Sequence, residues 1–347
     1  MRRVLFAAGG TMGHIGPALT VARALRARDP RCEISFIGTR SGLENSIELG
    51  FPLLKILKVP LPRRIDLSLF LFPLKFAIAI AQSVRLVGRC DVVVGFGGYV
   101  ATPVYIAAWL RRRRMIVHEA NALPGFANRV GKRLGGLTFA NFQSVASQFR
   151  CEAIGIPLRE EIIKVAKMGP TEKDQSNVRR ILVIGGSQGS SRINEAIWQA
   201  LPELPKGLHI LHAVGAQNLE QVPSDLVQGK DHRYQARGYI EEMAEAYRDA
   251  DLVIARAGAV TCAELQVLGK RAILVPLGHG NGEQAENARE LVRDGNAILV
   301  PDQEFDAAWL KANIERAFVL RGTVVETPRL EATDKLVEAI LASGDRR

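Results

Sequence analysis

The chain has 347 residues, 47% of them hydrophobic, four cysteines and a formal net charge of +10. That much apolar material serves two ordinary domains rather than one. Cys32, Cys90, Cys151 and Cys262 lie far apart, without a C-x-x-C pair or a Cys/His cluster, which excludes a disulfide framework and a structural zinc and points to a reducing compartment.

The positive charge is uneven. Residues 1–157 hold 22 Lys+Arg against 8 Asp+Glu, a net of +14, and the remainder holds 24 against 28, a net of −4. A solvated basic face explains a few of these charges; a nucleic acid or an anionic membrane surface explains the contrast between halves. In chain order, Met1–Phe6 opens like a signal peptide, but its apolar stretch runs straight into Gly9-Gly10-Thr11 with no cleavage site, so it reads as a first strand, Val4–Ala8. A helix Pro17–Arg28 follows, then strand Glu33–Ile37. The most apolar window, Leu67–Val87, is long enough to span a bilayer, but Pro73, Lys75, Gln82 and Arg85 argue for an amphipathic interfacial helix or a core helix. Strand Val92–Gly95, helix Pro103–Leu110, the run Arg111–Arg114 and strand Met115–His118 complete the first half.

The second half repeats the alternation. Strands Ile181–Ile184, His209–Val214, Leu252–Ala255 and Ala272–Pro276 are interleaved with helices Arg192–Ala200, Met243–Arg248 and Glu283–Arg293. A polar stretch, 167–178, has linker composition, and Glu331–Ala342 reads as a last helix. Strand–helix alternation with short connections implies an α/β chain with doubly wound parallel sheets. The halves also share a pattern: Arg2-Arg3-Val4-Leu5 leads to Gly9–Gly13, and Arg179-Arg180-Ile181-Leu182 leads to Gly185–Gly189, each opening a helix. Two Rossmann-like domains are therefore expected.

Three glycine turns follow predicted strands: Gly9–Gly13, Gly95–Tyr99 and Gly185–Gly189. Glycine admits positive φ and close approach of a ligand, and a following helix offers free N–H groups to a phosphate. Doubly wound folds need tight turns anyway, but three in one chain favour two phosphorylated substrates. No Gly-Lys-Ser/Thr follows any of them, and none gives G-x-G-x-x-G with an acidic residue downstream, so ATP hydrolysis and nicotinamide cofactors are disfavoured.

Gly9-Gly10-Thr11-Met12-Gly13-His14 with Pro17-Ala18-Leu19 resembles the first loop of the lipid-linked muramyl-peptide N-acetylglucosaminyltransferases, the MurG family. Further segments match in the same order: Gly95–Tyr99 with Thr102-Pro103, His118–Asn121 with Pro124-Gly125 and Asn128, Gly185–Gly189, Arg256–Ala259 with Thr261 and Glu264, and His279–Gln284 with Asn287-Ala288. The match covers roughly residues 2 to 320. It implies a GT-B fold, two Rossmann-like doubly wound domains facing across a cleft. The N-terminal domain, 1–160, would face acceptor and membrane, the C-terminal domain, 161–324, would bind the UDP-sugar, and a helix in about 325–347 would pack back on the first.

The implied reaction is an inverting transfer of N-acetylglucosamine from UDP-N-acetylglucosamine to undecaprenyl-diphosphate-linked N-acetylmuramyl pentapeptide, at the cytoplasmic face of the bacterial inner membrane. No cofactor, metal or nucleic acid is implied. The resemblance places Ser187 at the donor phosphates, Ile240 at the uracil, Ala259, Val260, Thr261, Cys262, Ala263 and Glu264 along the nucleotide, and Gln284 at the sugar. Asn121, Arg159, Thr11, Met12 and Gly13 would also reach the donor, and Gly10, Gly97, Gly98 and Tyr99 the acceptor diphosphate. Met12 stands where the family usually has Gly, and Ala120, Ile156, Ala255 and Glu283 also depart from its usual residues.

Several residues carry a plainer reading beside this one. His14 is a general base under the resemblance, and otherwise a capping or packing histidine. Glu264 binds ribose under the resemblance, but Thr261-x-x-Glu264 also reads as a capping box. His118 divides evenly between structural and catalytic roles; His209, His212 and His232 read as structural or surface residues, and His279 as a residue near the sugar. The alternatives to the transferase are another lipid glycosyltransferase of this fold, a sugar-nucleotide epimerase, and a non-catalytic membrane-bound relative.

Overall fold

The computed structural model describes residues 2–45, 47–59, 67–169, 178–224, 226, 234–278, 281–324 and 330–343. His232, His279, residues 170–177 of the polar stretch, and the side chains of Leu67 and Leu69 lie outside this description. The chain divides into two compact units, Met1–Arg159 with Arg329–Arg347, and Glu160–Pro328.

In the first unit β1 (Arg3–Ala7), β2 (Glu33–Thr39), β3 (Leu53–Ile56), β4 (Val92–Gly95), β5 (Arg114–Glu119), β6 (Leu137–Ala140) and β7 (Glu152–Ala153) form a parallel sheet in the order β3-β2-β1-β4-β5-β6-β7. Helices α1 (Met12–Arg28), α2 (Leu67–Val87), α3 (Ala101–Leu110), α4 (Phe126–Arg133) and α5 (Gln143–Phe149) connect the strands. β4 is apolar throughout and β1 from Val4 onward, because both faces of the sheet are covered there. Val4, Phe6, Val92 and Val94 pack toward α1, while Leu5, Ala7 and Val93 pack toward α3.

In the second unit α6 (Glu160–Met168) precedes β8 (Arg179–Ile184), β9 (Leu208–Ala213), β10 (Tyr234–Arg237), β11 (Leu252–Ala255), β12 (Arg271–Leu274) and β13 (Ala297–Leu299), also parallel, in the order β10-β9-β8-β11-β12-β13. Helices α7 (Ser191–Ala200), α8 (Met243–Asp249), α9 (Ala259–Val267), α10 (Glu283–Arg293) and α11 (Ala307–Phe318) lie between and after the strands. The last helix, α12 (Ala332–Ala342), belongs to the first unit. It buries Leu336, Val337 and Ile340 in the core shared with α1, and Arg2 donates to the Leu341 carbonyl at 2.6 Å.

One sequence expectation is corrected. α1 starts at Met12, not at Pro17, because the Thr11 carbonyl accepts both the His14 and Ile15 amides at 3.1 Å and closes a first turn without help from proline. Two residues of the Arg111–Arg114 run are engaged by a neighbouring helix. Arg111 Nε donates to the Val84 carbonyl at 3.3 Å and Arg113 Nη2 to the Gly88 carbonyl at 2.9 Å, so two of the arginines serve the negative end of α2.

α2 itself has two faces. Ala79, Ser83 and Val87, four residues apart, are buried on the side that meets α3. Phe70 is 75% exposed and Leu74 63% exposed, with Leu71 and Ile78 beside them.

Two histidines sit in the sheets with no solvent exposure: His118 at the end of β5 and His212 in β9. Burial pushes their pKa values down to about 4 and about 3. From pH 6.5 downward the unfolded chain gains protons that the folded one refuses, so stability present above pH 6.5 is lost as pH falls toward those values. Each histidine contributes a slope of about 1.4 kcal/mol per pH unit within its window. The melting temperature should therefore fall by several degrees between pH 7 and pH 4.5; a flat profile over that range would show that these histidines are protonated in the fold.

Candidate active site

In both sheets the strand order reverses once, between β1 and β4 and between β8 and β11. Ligands of open parallel sheets bind beyond the C-terminal strand ends at such switch points. The loops at the first reversal are Gly9–Gly13 and Gly95–Tyr99; at the second they are Gly185–Gly189 and Arg256–Gly258. The fold thus puts every glycine turn singled out from sequence at the strand-order reversal of its own sheet.

At the first reversal the two loops interlock around His14. Gly97 and Gly98 have φ of +93° and +81°. A Cβ on Gly98 would stand 2.5 Å from the Gly9 carbonyl oxygen and 3.3 Å from His14 Nδ1, and one on Gly97 would stand 3.5 Å from His14 Nε2. These glycines make the seat of the imidazole. Thr11 Oγ1 lies 3.1 Å from Nδ1. Desolvation lowers the His14 pKa below the ordinary 6.5, partly offset by a hydrogen bond to the Gly9 backbone. A neutral imidazole at pH 7 follows.

Thr11, Met12 and Gly13 are exposed on the loop, and as the first residues of α1 the Met12 and Gly13 amides have no intrahelical acceptor. The Gly10 amide is different. It donates to the carboxylate of Glu44 at 3.3 Å, and that buried carboxylate also takes the Thr39 amide at 2.7 Å. Tyr99 leans over Gly10, and its hydroxyl lies 3.4 Å from Thr39 Oγ1.

Beyond β5 the chain is organised by a second buried carboxylate, Glu119. It accepts the Asn121 amide at 3.0 Å, the Gly125 amide at 2.8 Å and Asn128 Nδ2 at 2.9 Å. Tyr105 donates to Asn128 Oδ1 at 3.0 Å. His118, whose Nε2 meets the Gly155 carbonyl at 2.8 Å, is enclosed and neutral, which favours its structural reading. Asn121 stands half-buried at the start of this loop, and Arg159 is exposed at the end of the unit.

At the second reversal α7 is capped by Ser190, whose Oγ accepts the Ile193 amide at 3.4 Å. Ser187 is exposed on the preceding turn, where Gly186 and Gly189 have φ of +93° and +75°. Arg256 ties this region together. Its Nη2 donates to Ser190 Oγ at 2.7 Å, and its Nη1 reaches the Val275 and Pro276 carbonyls at 3.1 Å and the Asp302 carboxylate. One guanidinium therefore joins the segments that follow β8, β11, β12 and β13.

α9 begins at Ala259 with Gly258 as its N-cap, so Thr261 lies inside the helix. The capping-box reading of Thr261 and Glu264 is corrected by this: the helix starts three residues too early for it. Glu264 is 5% exposed in the second turn, among buried Ala259, Cys262 and Ala263 and half-buried Val260 and Thr261. Burial pushes the Cys262 thiol up to about 12, which leaves it unreactive. Ile240 is buried just after β10. Gln284, in the first turn of α10, accepts the Leu277 amide through Oε1 at 3.0 Å, and Asn287 donates to the Ala257 carbonyl at 3.3 Å. Among the described residues no group of His, Cys, Asp and Glu side chains is arranged to hold a metal.

Two central residues have no role in the sequence-derived site, although Arg256 stands in one of its matched segments. Arg256 carries a readable signal, a single cation between an apolar strand and a glycine turn. Glu44 carries none, because only the fold brings the short turn Leu43–Asn45 beneath Gly10.

Residues 4–134 match the glycosyltransferase family 28 N-terminal domain and residues 180–330 match the glycosyltransferase family 28 C-terminal domain. The chain is 41% identical over 326 residues, 90% of its length and 86% of the relative's, to the UDP-N-acetylglucosamine–N-acetylmuramyl-(pentapeptide) pyrophosphoryl-undecaprenol N-acetylglucosamine transferase of Frankia casuarinae. It superposes on MurG of Acinetobacter baumannii with a TM-score of 0.74 at 27% identity, covering 99% of this chain and 100% of that one. UDP-GlcNAc 2-epimerase of Methanocaldococcus jannaschii, at 12% identity and a TM-score of 0.60 over 99% of this chain and 100% of that one, shares the fold alone.

The Arg256 hub makes a stability prediction. Its side chain is 12% exposed and that of Asp302 23%. Arg256→Ala leaves the carboxylate and two carbonyls without their donor and should cost roughly 2–4 kcal/mol, somewhat below the value for a fully enclosed pair. Urea unfolding measures it, and a loss under about 0.5 kcal/mol, the level of an ordinary surface substitution, would remove Arg256 from that role.

Proposed function

The chain belongs to glycosyltransferase family 28 and within it to the MurG transferases, and from that premise we propose that it moves N-acetylglucosamine from UDP-N-acetylglucosamine to undecaprenyl-diphosphate-linked N-acetylmuramyl pentapeptide. The observation that carries the reading is that each unit sets a glycine turn at the switch point of its own sheet. Donor and acceptor are both diphosphates, and each unit has a place for one.

In the second unit the turn Gly185–Gly189 and the start of α7 take the donor diphosphate, with Ser187 presented to it and Arg256 adding charge behind Ser190. Ile240 holds the uracil through its backbone, Ala259–Glu264 lines the nucleoside with Glu264 on the ribose, and Gln284 reads a sugar hydroxyl. The Gln284 amide oxygen already accepts the Leu277 amide, and its NH₂ is assigned to the sugar. Asn121 and Arg159 are assigned to the donor on the motif match alone. In the first unit the Gly10 amide is committed to Glu44, so the Met12 and Gly13 amides, with Gly97, Gly98 and Tyr99 beside them, are better placed for acceptor phosphate.

The reaction is a direct displacement. The acceptor hydroxyl attacks the anomeric carbon as its proton passes to neutral His14, and UDP departs with its new charge stabilised by the amides at the start of α7. His14→Ala should lower turnover by roughly 10²–10⁴ with donor affinity little changed. Release of UDP from labelled UDP-N-acetylglucosamine, with and without the lipid-linked muramyl peptide, tests the whole reading. Acceptor-dependent product supports it; a new sugar nucleotide formed from donor alone would identify an epimerase.

The acceptor's polyprenyl tail stays in the bilayer, so the enzyme is placed peripherally at the cytoplasmic face of the bacterial plasma membrane. α2 is long and apolar enough to cross a membrane by length and composition. Its burial of Ala79, Ser83 and Val87 beside α3 supports an interfacial role instead, with Phe70, Leu71, Leu74 and Ile78 turned outward. Exposed Lys75, Arg85, Arg89, Arg112 and Arg114 supply the charge, each contributing on the order of 1 kcal/mol near an anionic surface before screening. Co-sedimentation should show binding to vesicles containing anionic lipid, release at high salt, and weaker binding of the Arg112→Gln/Arg114→Gln variant. Equal binding to neutral and anionic vesicles at every salt concentration would remove the electrostatic part.

A further inference from the structure

The second sheet encloses a chain of polar groups that the proposed chemistry does not use. Trp198 Nε1 donates to the Tyr234 hydroxyl at 2.7 Å, that hydroxyl lies 3.0 Å from His212 Nδ1, and His212 Nε2 lies 3.1 Å from Asn194 Oδ1. Asn194 Nδ2 then donates to the Val214 carbonyl at 3.0 Å. Asn194, His212 and Tyr234 are all buried.

The inventory of protons gives the chain one direction. An indole N–H only donates, so the Tyr234 oxygen accepts from Trp198 and its own proton goes to Nδ1 of His212. Burial holds the imidazole neutral, with its pKa down to about 3, and the phenol protonated, with its pKa up to about 12. The single imidazole proton is therefore on Nε2 and faces Asn194 Oδ1, which turns the Asn194 amide NH₂ toward Val214.

Val214 is where this chain meets the donor loop. A Cβ on Gly189 would stand 1.8 Å from the Val214 oxygen, and one on Gly215 would stand 2.3 Å from the Gln188 oxygen. The two backbones are in closest contact, with no side chain between them. Asn218 Nδ2 closes the junction, donating to Val214 at 2.7 Å and to Gln188 at 3.1 Å. Asn194 lies on α7, whose first turn follows the same loop, so the chain fixes both the loop and the helix behind it.

We propose that Tyr234 and His212 are positioning residues for the donor diphosphate: through Asn194 they hold the Val214 carbonyl that seats Gln188 and Gly189. This rests on the reading of Gly185–Gly189 as the donor-phosphate loop. Neither residue touches the donor; their effect is on where the loop amides point.

The test compares UDP with uridine, because only UDP uses the loop. Titration calorimetry gives both dissociation constants for the wild type, Tyr234→Phe, His212→Leu and His212→Gln, with thermal melts to confirm folding. Gln is long enough to set an amide N–H where Nε2 stands. Tyr234→Phe and His212→Leu should each weaken UDP roughly three- to tenfold, the worth of about one hydrogen bond, while uridine affinity stays within twofold. His212→Gln should recover most of the loss. Equal weakening of UDP and uridine, or no weakening of either, in the variants that fold would overturn the proposal. If His212→Leu fails to fold, Tyr234→Phe, which removes one oxygen atom, decides alone. A wild type that binds uridine as tightly as UDP would overturn the donor-loop reading itself, a result independent of any variant.

Discussion

The constraint on which this molecule depends is the single reversal of strand order in each sheet. A parallel sheet sends its crossovers to one face until the order turns back, and at that point two neighbouring connections leave in opposite directions and open a crevice above the strand ends. β1 and β4 make one such point, and β8 and β11 the other. Side chains that matter to a phosphorylated ligand can come from distant parts of the chain, because the reversal gathers them. Arg256 shows the consequence: it stands after β11 and reaches Ser190 after β8, Val275 after β12 and Asp302 after β13. A guanidinium fork suits this task, since it offers several donors in fixed geometry where strand-end carbonyls and a carboxylate converge.

The glycines of these loops serve packing as much as ligand approach. Gly98 is excluded from carrying a side chain by the Gly9 carbonyl, and Gly189 by the Val214 carbonyl. Both also have positive φ, which costs other residues roughly 1–2 kcal/mol. A phosphate-binding turn and a tight junction between neighbouring crossovers require the same residue. The glycines therefore mark the place without saying which of the two purposes is served, and the distinction comes from what surrounds them. At Gly97 and Gly98 the neighbour is an imidazole, so the space saved holds a catalytic candidate rather than a ligand atom.

The inner strands were legible because buried parallel strands are short continuous apolar runs, as in Val92–Gly95 and Leu252–Ala255, whereas the short strands β3, β6, β7, β10 and β13 at or near the sheet edges went unread. What the sequence misplaced were helix starts. Pro17 marks a favoured first position, yet the Thr11 carbonyl begins α1 a full turn earlier. Thr261 and Glu264 have the spacing of a capping box, yet the extended backbone of Gly258 begins α9 first. Local signals compete at helix ends, and tertiary geometry decides among them. Buried carboxylates were the other blind spot. Glu44 and Glu119 organise loops by accepting backbone amides. Nothing in the one-dimensional pattern separates such a residue from a surface acid.

The charge of the first half looks different once its partners are known. A net of +14 in residues 1–157 suggests a strongly electrostatic surface. Part of that charge already has partners within the chain: Arg111 and Arg113 donate to carbonyls at the end of α2, Arg2 to the end of α12, and Arg3 pairs with Asp91, although Arg3 and Arg111 remain exposed. Each cation facing water works through a field that decays within about 8 Å at physiological ionic strength. Burying one large apolar side chain is worth about 1.5–3 kcal/mol, more than one screened surface cation. On the proposed interfacial reading, Phe70, Leu71, Leu74 and Ile78 therefore match or outweigh the exposed charges around them. One such signal by itself generally gives marginal, reversible attachment, and stable anchoring takes two, so the apolar and charged contributions are needed together. On that proposed reading, an enzyme that releases one lipid-bound product and reaches the next acceptor is served by that balance, since weakening either contribution loosens its hold.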